Sequence, residues 1–111
     1  WETIIINGDG HNTDKTSTYC MKTIHIDPGC TTSKHYHICK HETLFVAQGR
    51  ITLYYTDRET CYEHSIVLDK GDAFVIPPGF QHQLANESHE QAILIEASTP
   101  DSTTDSIRVK L

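Results

Sequence analysis

The sequence predicts an all-β chain, a sandwich or barrel built mostly of antiparallel strands. Three observations predict it. Short runs rich in Ile, Val, Thr, Tyr and Phe recur along the chain, and Gly, Pro, Asn and Asp punctuate them at regular intervals. No window of a dozen residues carries apolar side chains at i, i+3, i+4 and i+7 together with helix caps. The 111 residues are 37% hydrophobic and 22% charged, the balance of a globular chain and not of a disordered one. That length predicts a single domain, residues 1–111, which hides roughly 65% of its unfolded surface in one modest core.

The elements follow in order. The run 2–7 (ETIIIN) carries three consecutive isoleucines, and the polar, Gly-containing stretch 8–18 after it reads as a solvated loop. A strand over 19–27 (YCMKTIHID) stops at 28-PG-29. Strands over 32–38 and 43–48 flank a turn, and Gly49 separates the second of them from 50–56. The breaks 57-DRE-59, 69-DKG-71 and 77-PPG-79 then mark off strands over 63–68, 72–76 and 81–86. After 86-NES-88 comes 91–98, and 99-TPDS-102 leads to a last strand near 106–110. Pro77 and Pro78 lack a ladder donor, so they end one strand and set the turn that aims the next.

Charge and composition exclude several functions. Nine Lys and Arg against fifteen Asp and Glu give a net charge of −6, which is no footprint for nucleic acid. The longest apolar runs, such as 65-SIVL-68 and 92-AILI-95, are too short to cross a bilayer. No signal-peptide pattern precedes the first strand, and the chain begins at Trp1 without Met. Cys20, Cys30, Cys39 and Cys61 form no CxxC pair, so thiols in a reducing, cytoplasmic compartment are expected.

The chemistry concentrates in two stretches. In 29-GCTTSKHYHICKHETLFVAQG-49, His35 and His37 stand two apart, which on a strand places both imidazoles on one face, and Glu42 follows across the turn. In 71-GDAFVIPPGFQHQLAN-86, His82 opens the strand after the Pro-Pro-Gly turn. Three imidazoles and one carboxylate make a donor set suited to divalent Mn, Fe, Ni, Co or Zn, with positions left for substrate or water. Leu44 and Val46 follow Glu42 at period two, and Leu84 follows His82, so all three should line the interior. The directions of Phe74 and Ile76 are open. His11, His25, His41, His64 and His89 stand outside the pattern, and Cys39 reads as a bystander in the turn.

These stretches resemble motifs 1 and 2 of the cupin superfamily. Gly29, His35, His37, Glu42 and Gly49 fill the first, and Gly71, Pro77, Gly79, His82 and Asn86 fill the second, at the expected spacings. The resemblance implies a cupin-type double-stranded β-helix, a jelly-roll barrel, holding a metal through His35, His37, Glu42 and His82. Further features are similar to the cupin domain of type II phosphomannose isomerases: the opening 1-WETIII-6, the strand 19-YCMKTIHIDPG-29 and the tail that starts 96-EASTPD-101. Lys40 stands where those isomerases carry an arginine, and a lysine does not reproduce a bidentate guanidinium.

The implied activity is metal-dependent isomerisation or epimerisation of a sugar or sugar phosphate. The ion would acidify a C–H beside a carbonyl, and Lys40, His41 or Glu87 would move the proton. The alternatives are an Fe(II)-dependent dioxygenase on the same four ligands and a non-catalytic cupin that binds metal or a small molecule. The expected partners are a small-molecule substrate or ligand and a second copy of the chain. A homodimer is predicted because a small jelly roll exposes sheet edges and an apolar face of 2–7.

Overall fold

A computed structural model of the chain describes residues 2–7, 19–37, 40–57, 59–99 and 106–108, without the side chains of 2–7, His37 and 106–108. Among the described residues ten strands form, where the sequence places ten: β1 (Glu2–Asn7), β2 (Cys20–Ile26), β3 (His35–His37), β4 (Glu42–Gln48), β5 (Arg50–Thr56), β6 (Glu63–Asp69), β7 (Ala73–Ile76), β8 (Gln81–Ala85), β9 (Ala92–Ser98) and β10 (Ser106–Arg108). Among the described residues there is no helix, and so none long and apolar enough to cross a membrane. The loop 8–18 with His11, Cys39 and the isoleucine side chains of β1 lie outside the described residues.

The strands make two five-stranded antiparallel sheets, in the orders β1-β2-β9-β4-β7 and β10-β3-β8-β5-β6. Period-two alternation explains which residues are inside. Along β4, Glu42, Leu44 and Val46 are buried while Phe45 faces out, and along β9 Ala92, Leu94, Glu96 and Ser98 are buried. The two inner faces meet in a core of Ile24, Ile26, Leu44, Val46, Ile51, Leu53, Leu68, Ile76, Leu84, Ala92 and Leu94. Leu44, Val46 and Leu84 therefore line the interior as their spacing predicts. Ile76 and Phe74, whose directions the sequence left open, share the inward rows of Glu42 and Leu44, which are their partners across the β4–β7 ladder.

The chain crosses between sheets at tight turns. Gly49 links β4 to β5 with φ +79°, and a Cβ there would stand 2.8 Å from the Gln91 carbonyl oxygen, so only glycine fits. The expected strand 32–38 is shorter than its composition suggests. Thr32 interrupts it: its backbone N–H donates to the Leu84 carbonyl (2.8 Å), and its Oγ1 accepts from the Leu84 N–H (3.0 Å). A side-chain oxygen replaces a ladder bond there, and regular pairing starts only at His35, opposite His82.

Candidate metal centre

Strand register stacks the inward side chains into rows, and the rows differ sharply in polarity. Toward one end, Ile24, Leu94 and Val46 lie side by side across β2, β9 and β4, all apolar. One row on, Lys22 pairs with Glu96 and Glu96 with Leu44. In the next, Cys20, Ser98, Glu42 and Ile76 are neighbours. Across the interior, the second sheet brings His35, His82, Tyr55 and His64 into one row. One end of the barrel is thus a polar chamber whose walls come from both sheets. Its far side is aromatic: the Tyr55 ring stacks on His64 at 5.2 Å and on Phe80 at 6.3 Å, with Phe74 tilted against it at 5.2 Å.

Two imidazoles are oriented by the same device. The Nδ1 of His82 lies 3.1 Å from the Phe80 carbonyl oxygen, and that of His35 lies 3.0 Å from the Ser33 carbonyl oxygen. A carbonyl only accepts, so Nδ1 donates in each ring and Nε2 is the nitrogen left for an ion, as hydrogen bonds to the other ring nitrogen fix it in metal-ligating histidines. The rings stand 4.3 Å apart between centroids. The Nε2 of His82 is 3.0 Å from Glu42 Oε1. Two donors each about 2.1 Å from one ion, at right angles to each other, stand about 3.0 Å apart, so this pair has ligand spacing.

Among the described residues, no three His, Cys, Asp or Glu side chains close around a common point. Glu42 divides its oxygens, Oε1 toward His82 and Oε2 toward Lys40 Nζ at 3.7 Å. His37 lies in β3 two residues beyond His35, and its side chain is outside the described residues. Imidazole nitrogen beside a buried carboxylate is a donor set that fits a divalent transition metal.

Behind Glu42 lies an ionic cluster that the sequence reading did not single out. Lys40 Nζ donates to Glu96 Oε2 at 2.9 Å, and Lys22 Nζ reaches the same oxygen at 3.4 Å. Lys40, Glu42 and Glu96 are 2%, 1% and 5% exposed, where unpaired charge is costly. The two carboxyls consequently separate. Burial alone would raise Glu42, but hydrogen bonds from His82 and Glu96 and the charges of His82 and Lys40 hold it well below the usual carboxylate range. Burial, then the hydrogen bond and charge of Glu42, push Glu96 up to about 7 against the pull of Lys22 and Lys40.

Of the proton-transfer candidates, Lys40 turns into this chamber. His41 is exposed, with its backbone tied to Thr99, and Glu87 is exposed and accepts from the Tyr54 hydroxyl at 2.7 Å. The signal that could have found Lys22 and Glu96 is period two, since Lys22 shares the alternation of Cys20, Ile24 and Ile26, and Glu96 that of Ala92 and Leu94.

The fold and chamber define a small antiparallel β-barrel protein with imidazoles and carboxylates gathered inside one end. Residues 22–98 match the model of the cupin domain family, and the chain belongs to that family. Similar solved structures include an uncharacterized conserved protein with a double-stranded β-helix domain from Klebsiella pneumoniae (19% identity, TM-score 0.76, covering 99% of this chain and 86% of that one). Oxalate decarboxylase from Lactobacillus farciminis is another (20%, TM-score 0.81, 96% and 30%). A third is peruvianin-I, a cysteine peptidase from Thevetia peruviana latex (19%, TM-score 0.75, 85% and 57%). At these identities the likeness is one of fold, and the chain spans little more than half of peruvianin-I. No curated protein matches the chain.

Proposed function

We propose that the chain is a metal-dependent cupin that isomerises or epimerises a sugar or sugar phosphate. His35, His37, Glu42 and His82 hold one divalent Mn, Fe, Ni, Co or Zn ion. The observation that carries this reading is the pair of imidazoles locked through Nδ1, with His82 Nε2 set 3.0 Å from the buried Glu42 carboxylate. Such an ion, when bound, polarises a substrate carbonyl and its neighbouring hydroxyl. The chain supplies the rest. Glu96 keeps a proton to about pH 7 and so stands ready to exchange one near neutrality, and the buried Lys40 ammonium hydrogen-bonds to it. The aromatic side, Tyr55, Phe74 and Phe80, offers flat apolar surface to a sugar ring and limits water. The sugar reading is also supported by the segments similar to phosphomannose isomerases, because Lys22 and Glu96 from two of them pair inside the chamber.

Metal content after desalting tests the ligand assignment. His82→Ala should abolish retention and His41→Ala should leave it nearly intact; equal content in wild type and His82→Ala would refute the assignment. Incubating the metal-loaded protein with mannose 6-phosphate in D2O tests the reaction. Deuterium on the carbon beside the carbonyl is expected. O2 uptake with Fe(II) and no exchange would replace the isomerase by the dioxygenase reading, and binding without turnover would leave a non-catalytic cupin.

A homodimer is part of the same proposal. Phe45 on β4 and Val75 on β7 are 41% and 51% exposed and face outward on adjacent strands, an apolar patch suited to a second copy. Light scattering at micromolar concentration should give twice the chain mass, and a monomer mass would overturn it.

A further inference from the structure

We infer that Lys40, Glu96 and Lys22 form a positioning clamp that presents Glu42 to the metal, an inference that rests on Glu42 being a ligand. The geometry is directional. Lys22 lies directly opposite Glu96 in the β2–β9 register, and its ammonium meets Glu96 Oε2 at 3.4 Å. Lys40 Nζ meets the same oxygen at 2.9 Å, so Glu96 is held from β2 on one side and from the segment leading into β4 on the other. Lys40 is thereby anchored, and its ammonium stands 3.7 Å from Glu42 Oε2. That ion pair draws Oε2 toward the ammonium and leaves Oε1 directed at His82 Nε2, 3.0 Å away.

Packing alone does not call for this arrangement. The neighbouring rows of the same sheet fill the interior with Ile24, Leu94 and Val46. Apolar side chains of similar volume would fill these positions at least as favourably as buried charges. What ion pairs add is orientation: a carboxylate with one oxygen drawn to an anchored ammonium is biased to keep the other on the His82 imidazole. Outer-sphere partners of this kind typically govern metal affinity by about 10–100-fold.

The test is Co2+ binding to the full chain, followed by affinity and by the visible absorption of the bound ion. The variants are Lys40→Met/Glu96→Met and the shape-conserving Glu96→Gln. The double variant replaces the Lys40–Glu96 pair at similar volume, so the metal-free protein should keep the far-UV circular dichroism of wild type at 25 °C while Co2+ affinity falls about 10–100-fold. Its Co2+ spectrum should shift, because Glu42 is no longer held. Lys40→Arg, which restores a cation, should recover part of the affinity that Lys40→Met loses. If the double variant does not fold, Glu96→Gln carries the same expectation. Variants that bind Co2+ as tightly as wild type with an unchanged spectrum overturn the clamp and leave the metal reading intact. So does a loss of Co2+ that merely follows unfolding. A wild type that binds no Co2+ refutes the metal reading, and the clamp with it.

Discussion

Glu42 and Glu96 are two carboxyl groups buried side by side, and they share protons unevenly. Glu42 sits below its ordinary value of 4.5, so its contribution to stability is present above that pH and is lost as pH falls. Glu96 is raised from 4.5 to about 7, so the folded chain keeps a proton that the unfolded chain releases. Its contribution is complete below pH 4.5 and is lost as pH rises toward 7. For the metal-free protein the pair should therefore destabilise progressively between pH 4.5 and 7, and Glu96→Gln should remove that slope. Urea midpoints of chelator-treated wild type and variant across the window check it; parallel curves would contradict the assignment. His35, His37, Glu42 and His82 are proposed as ligands from motif spacing, and the inward placement of Glu42 and His82 was legible from it. Lys22 and Glu96 were not, because the burial of a charge is decided by partners on other strands. Period two turns both inward, but nothing local announces that they pair with each other and with Lys40.

Strands were legible as elements, since alternation and turn residues are local, and all ten form. The misjudged stretch, 32–34, failed for a reason no propensity contains: Thr32 spends its hydroxyl on Leu84 in a different part of the chain. The turn after β8 shows the same point from the other side. Asn86 is fully buried, and its amide nitrogen donates to the Ile26 and Glu90 carbonyls at 2.8 Å each. Its Oδ1 accepts from the Ser88 N–H and hydroxyl, while its own backbone joins Gly29 and Cys30. The sequence marked Asn86 as a motif position, and the structure supplies the cause, a side chain that ties the β2 exit to the β8–β9 turn. Asn86→Ala takes the amide donor from the buried Ile26 carbonyl and from the Glu90 carbonyl, which keeps only the Ser88 hydroxyl at 3.2 Å, and should cost about 2 kcal/mol. Denaturant titration measures it, and a change within a few tenths would show that water replaces the amide.

The whole molecule is two sheets held together by one core, and the proposed ligands come from both. Glu42 rides on β4 of the first sheet; His35, His37 and His82 ride on β3 and β8 of the second. An ion bound by all four would staple the sheets at the polar end, where the apolar rows give out. The architecture was legible from alternation, and the jelly roll from motif resemblance. The order of strands within each sheet was not, because pairing joins residues far apart in sequence. The staple has a thermodynamic consequence. A ligand that binds only the folded state stabilises by about 2.7 kcal/mol at a hundred times its Kd, which for a chain of this size raises Tm by about 10 °C. A chelator should therefore lower Tm by about that amount near pH 7.5, with metal supplied at this excess. Protons compete with metal for imidazole nitrogen, so near pH 5 the chelator should change little, the ion being largely displaced already. In His82→Ala the chelator should be without effect at both pH values. A chelator effect of equal size in wild type and His82→Ala would mean that any stabilising ion sits elsewhere, and the inter-sheet staple would be wrong.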